Sequence, residues 1–210
     1  MTRSTRAQVA ASNRERVLSA ARAAFGRKGF HGASIDEIAE EAGFSKGVVY
    51  SQFGSKDDLF LALLERRIEE RAVENLEAIR RAPPGAELAT MWELAHRAQR
   101  QDPAWTLVVL EFRIHAARDP AVNRRYAALH ANTIAGVAAT LGVLCETRGV
   151  SPPYPPDELA RFTFALDSGY ALEDLVAPPD AGREAGGAAF AALLGVPFDR
   201  SPPTTKEDSA

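Results

Sequence analysis

Apolar positions fall into short helical stripes from residue 12 onward. Val17, Leu18, Ala21 and Phe25 share one face of a helix, and Ile35, Ile38, Ala39 and Ala42 share another. Val49 and Phe53 stand at i, i+4, and Leu59, Phe60, Leu63, Leu64, Ile68, Leu76 and Ile79 line a long helix ending near Arg81. Polar punctuation separates the stripes. Ser12-Asn-Arg-Glu15 and Ser34-Ile-Asp-Glu37 are capping boxes, and Ser45 and Ser55 read as N-caps. Gly26 and Gly29 end the first helix, Gly43 the second and Gly54 the third. Asp57 and Asp58 suit the first turn of the fourth.

The same reading predicts helices at about 86–101, 104–118, 120–148, 157–176 and 182–195. Trp105–Leu110 could locally be a strand. Glu111, Arg113 and His115 continue it with polar spacing and no partner strand is visible, so helix is preferred. The expected fold class is all-α. All 13 prolines follow residue 82, so Pro83-Pro84-Gly85 reads as a joint. The expected organisation is a flexible basic arm at 1–11 and a helical unit at 12–58 with a linking helix at 55–81. A second unit follows at 85–196, then a polar tail at 201–210. Asp119-Pro120 is a Pro-at-N1 start.

Hydrophobic residues make up 46 % of the 210, enough for a sizeable core. Cys145 is the single cysteine, which excludes an internal disulfide and a Cys-cluster metal site and fits a cytoplasmic address. No signal peptide is visible in Met1–Ala11. Tyr126–Cys145 lacks Asp, Glu, Lys and Arg, but His130, Asn132, Thr133 and Thr140 interrupt it, so a buried soluble helix is expected rather than a membrane span. Net charge is −3 and unevenly placed. Residues 1–35 carry seven Lys and Arg against Glu15 alone, whereas residues 151–210 carry four basic and ten acidic side chains. The N-terminal end could meet a polyanion, or its charge could be only a solvated basic tail.

Two short helices around Gly43-Phe44-Ser45 form a helix-turn-helix pattern, at 34–53. The second exposes Lys46, Gly47, Val48, Tyr50, Ser51 and Gln52, while Val49 and Phe53 face inward. Small, polar and aromatic groups on a short helix suit a major groove about 12 Å wide. A glycine at helix position two costs about 1 kcal/mol of propensity. Close approach to a backbone or base edge would explain Gly47. Ser34–Leu59 (SIDEIAEEAGFSKGVVYSQFGSKDDL) closely resembles the DNA-binding signature of the tetracycline-repressor (TetR) family of transcriptional regulators, and Ala20–Gly32 (AARAAFGRKGFHG) resembles that family's first helix and turn.

The resemblance implies roles. Ser34 would cap the second helix and offer its hydroxyl or amide to phosphate. Lys46 and Tyr50 would contact phosphates, and Gly47 and Val48 would face base edges, Val48 a thymine methyl. Lys56 would hold the adjacent phosphate at a helix N-terminus, and Arg3 and Arg6 would reach the backbone or minor groove from the arm. The family often has His or Tyr at the position of Gln52 and an aromatic or basic residue at that of Ser51. Both are uncharged polar readers here, so the operator cannot be borrowed from a relative.

Met91, Trp92, Leu94, Trp105, Phe112, Ile114, Tyr126, Phe162 and Leu166 are the large apolar residues of the second unit, readable as ordinary core. The resemblance implies instead a ligand cavity. Its expected lining is Met91, Trp92, Trp105, Phe112, Tyr126 and Phe162, with His96, Glu111 and His115 as polar groups; Arg113 is a further polar candidate. The last helix is apolar nearly all round and needs burial on more than one side, against a second copy or against helix 120–148. By resemblance, Ala165, Ser168, Gly169, Ala171, Ala188, Ala189 and Ala192 belong to a four-helix dimer interface.

Glu93-x-x-His96 has di-iron spacing but lacks a second pair, since Glu111 and His115 stand at i, i+4; no metal site is expected. No Gly-rich phosphate loop or nucleophile elbow is present, and His130 and Ser168 have no evident triad partners, so neither an enzyme nor a cofactor is expected. The reading is a cytoplasmic, homodimeric, ligand-responsive regulator, most simply a repressor of a pseudo-palindromic operator released by a small apolar or aromatic effector. The alternative is an all-helical binding or scaffold protein without regulated DNA binding, with a small metalloenzyme third.

Overall fold

The computed structural model describes residues 6–83, 86–176 and 183–195. Arg3, the loop prolines Pro178 and Pro179, and the tail Ser201–Ala210 lie outside them. Among the described residues every regular element is an α-helix: α1 (Arg6–Gly32), α2 (Ile35–Ala42), α3 (Lys46–Phe53), α4 (Lys56–Arg81), α5 (Glu87–Gln101), α6 (Pro103–Arg118), α7 (Pro120–Arg148), α8 (Pro156–Val176) and α9 (Arg183–Leu194).

Capping chemistry fixes most boundaries. The Ser34 hydroxyl accepts from the Glu37 N–H at 3.2 Å. Gly43, at φ 73°, closes α2 in the left-handed conformation. Ser55 accepts from the Asp58 N–H at 3.0 Å. Asp102 accepts from the Trp105 N–H at 3.0 Å, and Pro103 opens α6 behind it. Asp119 accepts from the N–H groups of Val122 and Ala121, and those two bonds hold its carboxyl below the usual carboxylate range.

The first helix departs from the sequence reading. It starts at Arg6, so the residues 6–11 expected in a flexible arm are helical and Ser12 is not a cap. The AQVAAS run contains no breaker, and a capping box inside good helix formers does not force a start. At the other end Gly29 (φ 73°, ψ 174°) is non-helical and breaks the helix where its glycine signal put the end, and a separate short turn follows to Gly32.

The chain forms two compact units, one of residues up to Glu77 with Gln99–Thr133, the other of Ala78–Ala98 with residues from Ile134 onward. This differs from the division at Pro83–Gly85, because α6 and the start of α7 join the first unit. The reason is aromatic packing. Phe25, Phe30, Phe60 and Phe112 are fully buried together. Phe112 stacks on Phe60 at 4.3 Å and meets Phe30 edge-on at 5.0 Å. Trp105 and Tyr126 pack against the same cluster.

The second unit centres on Trp92, Ile134, Leu141, Cys145, Leu159, Phe190 and Leu194. Trp92, expected to line a cavity, is 4 % exposed, stacked on Phe190 and edge-on to Tyr170. A β-carbon at Gly186 would clash with Trp92 Cζ2 and lie 3.0 Å from Tyr170 Cε2, so this glycine makes room for the indole. Pro120–Thr147 is long and apolar enough to cross a membrane by length and composition, and only 17 % of its apolar window is buried. The expectation of a buried helix is therefore not met; Ala131, Ala135, Ala139 and Val143 lie on the surface.

Candidate nucleic-acid interface

The helix-turn-helix is α2, the Gly43–Ser45 turn and α3. Ile38, Ala39, Val49 and Phe53 anchor it in the first unit's core. Arg16 fixes the turn: Nη2 donates to the Ala42 carbonyl at 2.8 Å while the guanidinium lies over the Phe44 ring. Arg14 lies over Phe53 in the same way, at 4.6 Å.

The outer face of α3 carries the predicted set. Ser45, Lys46, Gly47, Tyr50 and Ser51 are exposed, and Val48 and Gln52 are half-buried. Ser45 sits at the N-cap with extended backbone but its side chain makes no cap hydrogen bond, so the capping expected of it is only positional. Ser51 Oγ donates back to the Val48 carbonyl at 2.8 Å. Gln52 Oε1 is buried with no hydrogen-bond partner among the described residues. The Lys46 ammonium stands 2.9 Å from Asp36 Oδ2 and 5.9 Å from the Tyr50 ring centroid.

Gly47 is explained by nothing inside the chain. A β-carbon there meets only Ser45 Oγ, at 3.9 Å. Gly47→Ala is therefore expected to stabilise the folded chain, by up to about 1 kcal/mol in a urea melt, because alanine is the better helix former. A loss of stability would show a steric demand within the chain.

Lys56 is corrected. Its ammonium donates to the carbonyls of Phe30 (3.0 Å), Ala33 (3.2 Å) and His31 (3.4 Å). These contacts cap the end of α1 with the ammonium's donors. Burial pushes this ammonium below its ordinary range. Three further cations of the first 35 residues are paired within the fold. Arg27 pairs with Glu41 and Glu37, Lys28 with Glu37 at 2.9 Å, and Arg22 with Asp102. The Glu37 carboxylate thus answers Lys28 rather than closing its capping box.

Glu111 and His115, two of the polar residues expected in a ligand cavity, are engaged within the first unit. Glu111 Oε2 accepts from the Phe30 N–H at 2.6 Å, directly over the Gly29 kink. His115 Nε2 lies 2.9 Å from Asp57. Phe112, Trp105 and Tyr126 are core or packed on it. Met91 packs against the second core, Phe162 is exposed beside Tyr154, and His96 is placed on α5 by its backbone alone. A cleft of about 340 Å³ opens between α4 and α7, with Leu61, Ala62, Ala128 and Leu129 on its walls and Asp58, Glu65, Arg125 and Asn132 among them; the sequence reading had not named these residues. Among the described residues no cluster of His, Cys, Asp and Glu could hold a metal ion.

The α8 face follows the expected pattern of small residues more closely. Phe162, Ala165, Gly169, Leu172 and Val176, spaced three and four apart, are exposed. Ala171 is 5 % exposed and packs inside its own unit, so it is not on that face. Ser168, Ala188 and Ala189 are half-buried and Ala192 is exposed.

A family model described as bacterial regulatory proteins, tetR family, matches residues 17–63, and a second, BetI-type transcriptional repressor, C-terminal, matches residues 84–195. The transcriptional activator FasR of Mycolicibacterium smegmatis is 42 % identical over 67 residues, covering 32 % of this chain and 31 % of FasR. The match spans about a third of the length of the first curated relatives. Two solved structures share the fold. FadR from Bacillus subtilis, in complex with stearoyl-CoA, is 16 % identical with TM-score 0.69, covering 86 % of this chain and 96 % of its own. A regulator from Saccharomonospora viridis in complex with choline is 22 % identical with TM-score 0.68, covering 88 % and 96 %.

Proposed function

The chain belongs to the TetR family of bacterial regulatory proteins, and from that premise we propose that it is a ligand-responsive, sequence-specific DNA-binding repressor rather than an enzyme. The observation that carries the reading is α3. It is a short helix on a rigid three-helix base, with an outward face of Lys46, Gly47, Val48, Tyr50, Ser51 and Gln52 that the fold itself does not need. Lys46 and Tyr50 hold phosphates, and Gly47 and Val48 approach base edges. Ser51 and Gln52 read polar groups. Ser34, whose oxygen already caps α2, keeps its hydroxyl proton to donate to a phosphate.

The partner is double-stranded operator DNA in the cytoplasm. A homodimer built on the exposed α8 seam with Ala188, Ala189 and Ala192 of α9 presents two α3 helices to a pseudo-palindrome. The repressor sign follows the C-terminal family description. A small, largely apolar or aromatic effector biases the dimer between states; the stearoyl-CoA and choline complexes of two fold neighbours support effector binding by this fold, not that effector chemistry. The α4–α7 cleft is a candidate entry for it.

The test is fluorescence anisotropy with a selected operator. Lys46→Ala is expected to weaken binding to the operator and reduce its salt slope by about one. Tyr50→Phe, which loses one hydrogen bond, is expected to weaken binding about fivefold. Both variants should melt as the parent does, since both side chains are exposed. Unchanged affinity in both would remove α3 from the interface.

A further inference from the structure

We propose that Asp36 is a positioning residue for the recognition helix: its carboxylate holds the Lys46 ammonium away from the DNA backbone and so damps sequence-independent binding. The inference rests on the DNA-binding reading above. Asp36 is the second residue of α2 and Lys46 the first of α3. Their side chains meet across the turn at 2.9 Å, with 64 % and 53 % exposed. A pair this open to solvent adds little to stability, so the fold does not explain it.

Its consequence lies outside the fold. Lys46 is the only charged residue of α3. The neighbouring cations are committed elsewhere, Arg16 to the Ala42 carbonyl, Arg27 and Lys28 to α2 carboxylates, and Lys56 to the end of α1. Whether α3 attracts a phosphate thus turns on whether Lys46 is free. The hydrogen bond that Lys46 donates to Asp36 raises its ammonium above the ordinary range, so the lysine stays charged and the switch is a change of partner, not of protonation. To reach a phosphate, Lys46 must leave Asp36, and the stranded carboxylate then repels the same phosphate. Random DNA offers nothing to offset this, whereas an operator with favourable base contacts can.

The experiment titrates a labelled random-sequence duplex of about 30 bp with wild type, Asp36→Asn, Lys46→Gln and the double variant, from about 50 to 200 mM KCl. Asp36→Asn is expected to bind about fivefold tighter at about 100 mM, with a salt slope steeper by about one. In the Lys46→Gln background the same change should alter affinity less than about twofold, because the cation it releases is gone. An Asp36→Asn variant that binds as wild type does overturns the proposal. So does an equal gain in both backgrounds, which would mean general charge repulsion. Either result leaves the DNA-binding reading standing. A wild type that binds no duplex at the lowest salt overturns that reading, and the proposal with it. Asp36→Ser, melted beside the others, separates any effect of the α2 first turn from the effect of charge.

Discussion

Gly29→Ala is expected to cost about 3–5 kcal/mol in a urea melt, from two sources that add. Gly29 sits at φ 73° and ψ 174°, a region that side-chain-bearing residues almost never occupy. A β-carbon there would also lie 2.7 and 2.8 Å from the two Glu111 oxygens. Glu111 would have to move, and the Phe30 N–H would lose its 2.6 Å charge-assisted bond. Adding Glu111→Ala should relieve the clash, so the double variant should be less destabilised than the sum of the singles. A loss below about 1 kcal/mol for Gly29→Ala would mean that the kink relaxes freely and Glu111 does not pin it.

Phe112→Ala is expected to cost about 3–5 kcal/mol, the range for deleting a buried aromatic ring. Phe112 is fully buried between Phe60 and Phe30, so its loss opens a void where α6 meets the DNA-binding helices. DNA binding should fall with the folded fraction and recover on cooling toward the temperature of maximum stability. The outcome also discriminates between two readings of this side chain. A variant within about 1 kcal/mol of the parent that loses only its response to an effector would make Phe112 a cavity wall after all.

The helix boundaries from α2 to α9 could be read in the sequence because they are set by local chemistry. Ser34, Gly43, Ser45, Gly54, Ser55 and Asp119-Pro120 act within four residues of themselves, and α2 and α3 begin and end, and α7 begins, where these signals put them. The start of α1 could not be read, since the Ser12 box is good capping chemistry that an uninterrupted helix simply overrides. The roles of Glu111, His115 and Lys56 were hidden for a different reason. Their partners, Phe30, Asp57 and the carbonyls at the end of α1, lie 81, 58 and 23–26 residues away. A polar group on an apolar helix looks like a ligand contact until its distant partner is seen. The proline joint at Pro83–Gly85 marks a break in the chain, and the aromatic cluster around Phe112 ignores it. Charge count alone could not say which N-terminal cations are paired within the fold: α2 supplies the carboxylates that meet Arg27 and Lys28. The face of α3 was readable because nothing folds over it.

The most direct test of the central claim is selection of a randomised duplex library by the wild-type protein, with excess nonspecific competitor and at two salt concentrations. The account predicts one enriched pseudo-palindrome with half-sites about 34 Å, or one helical turn or a multiple of it, apart. Its affinity should fall steeply with salt and survive the competitor. A library that yields no motif, or binding that competitor abolishes, would contradict a sequence-reading role for α3.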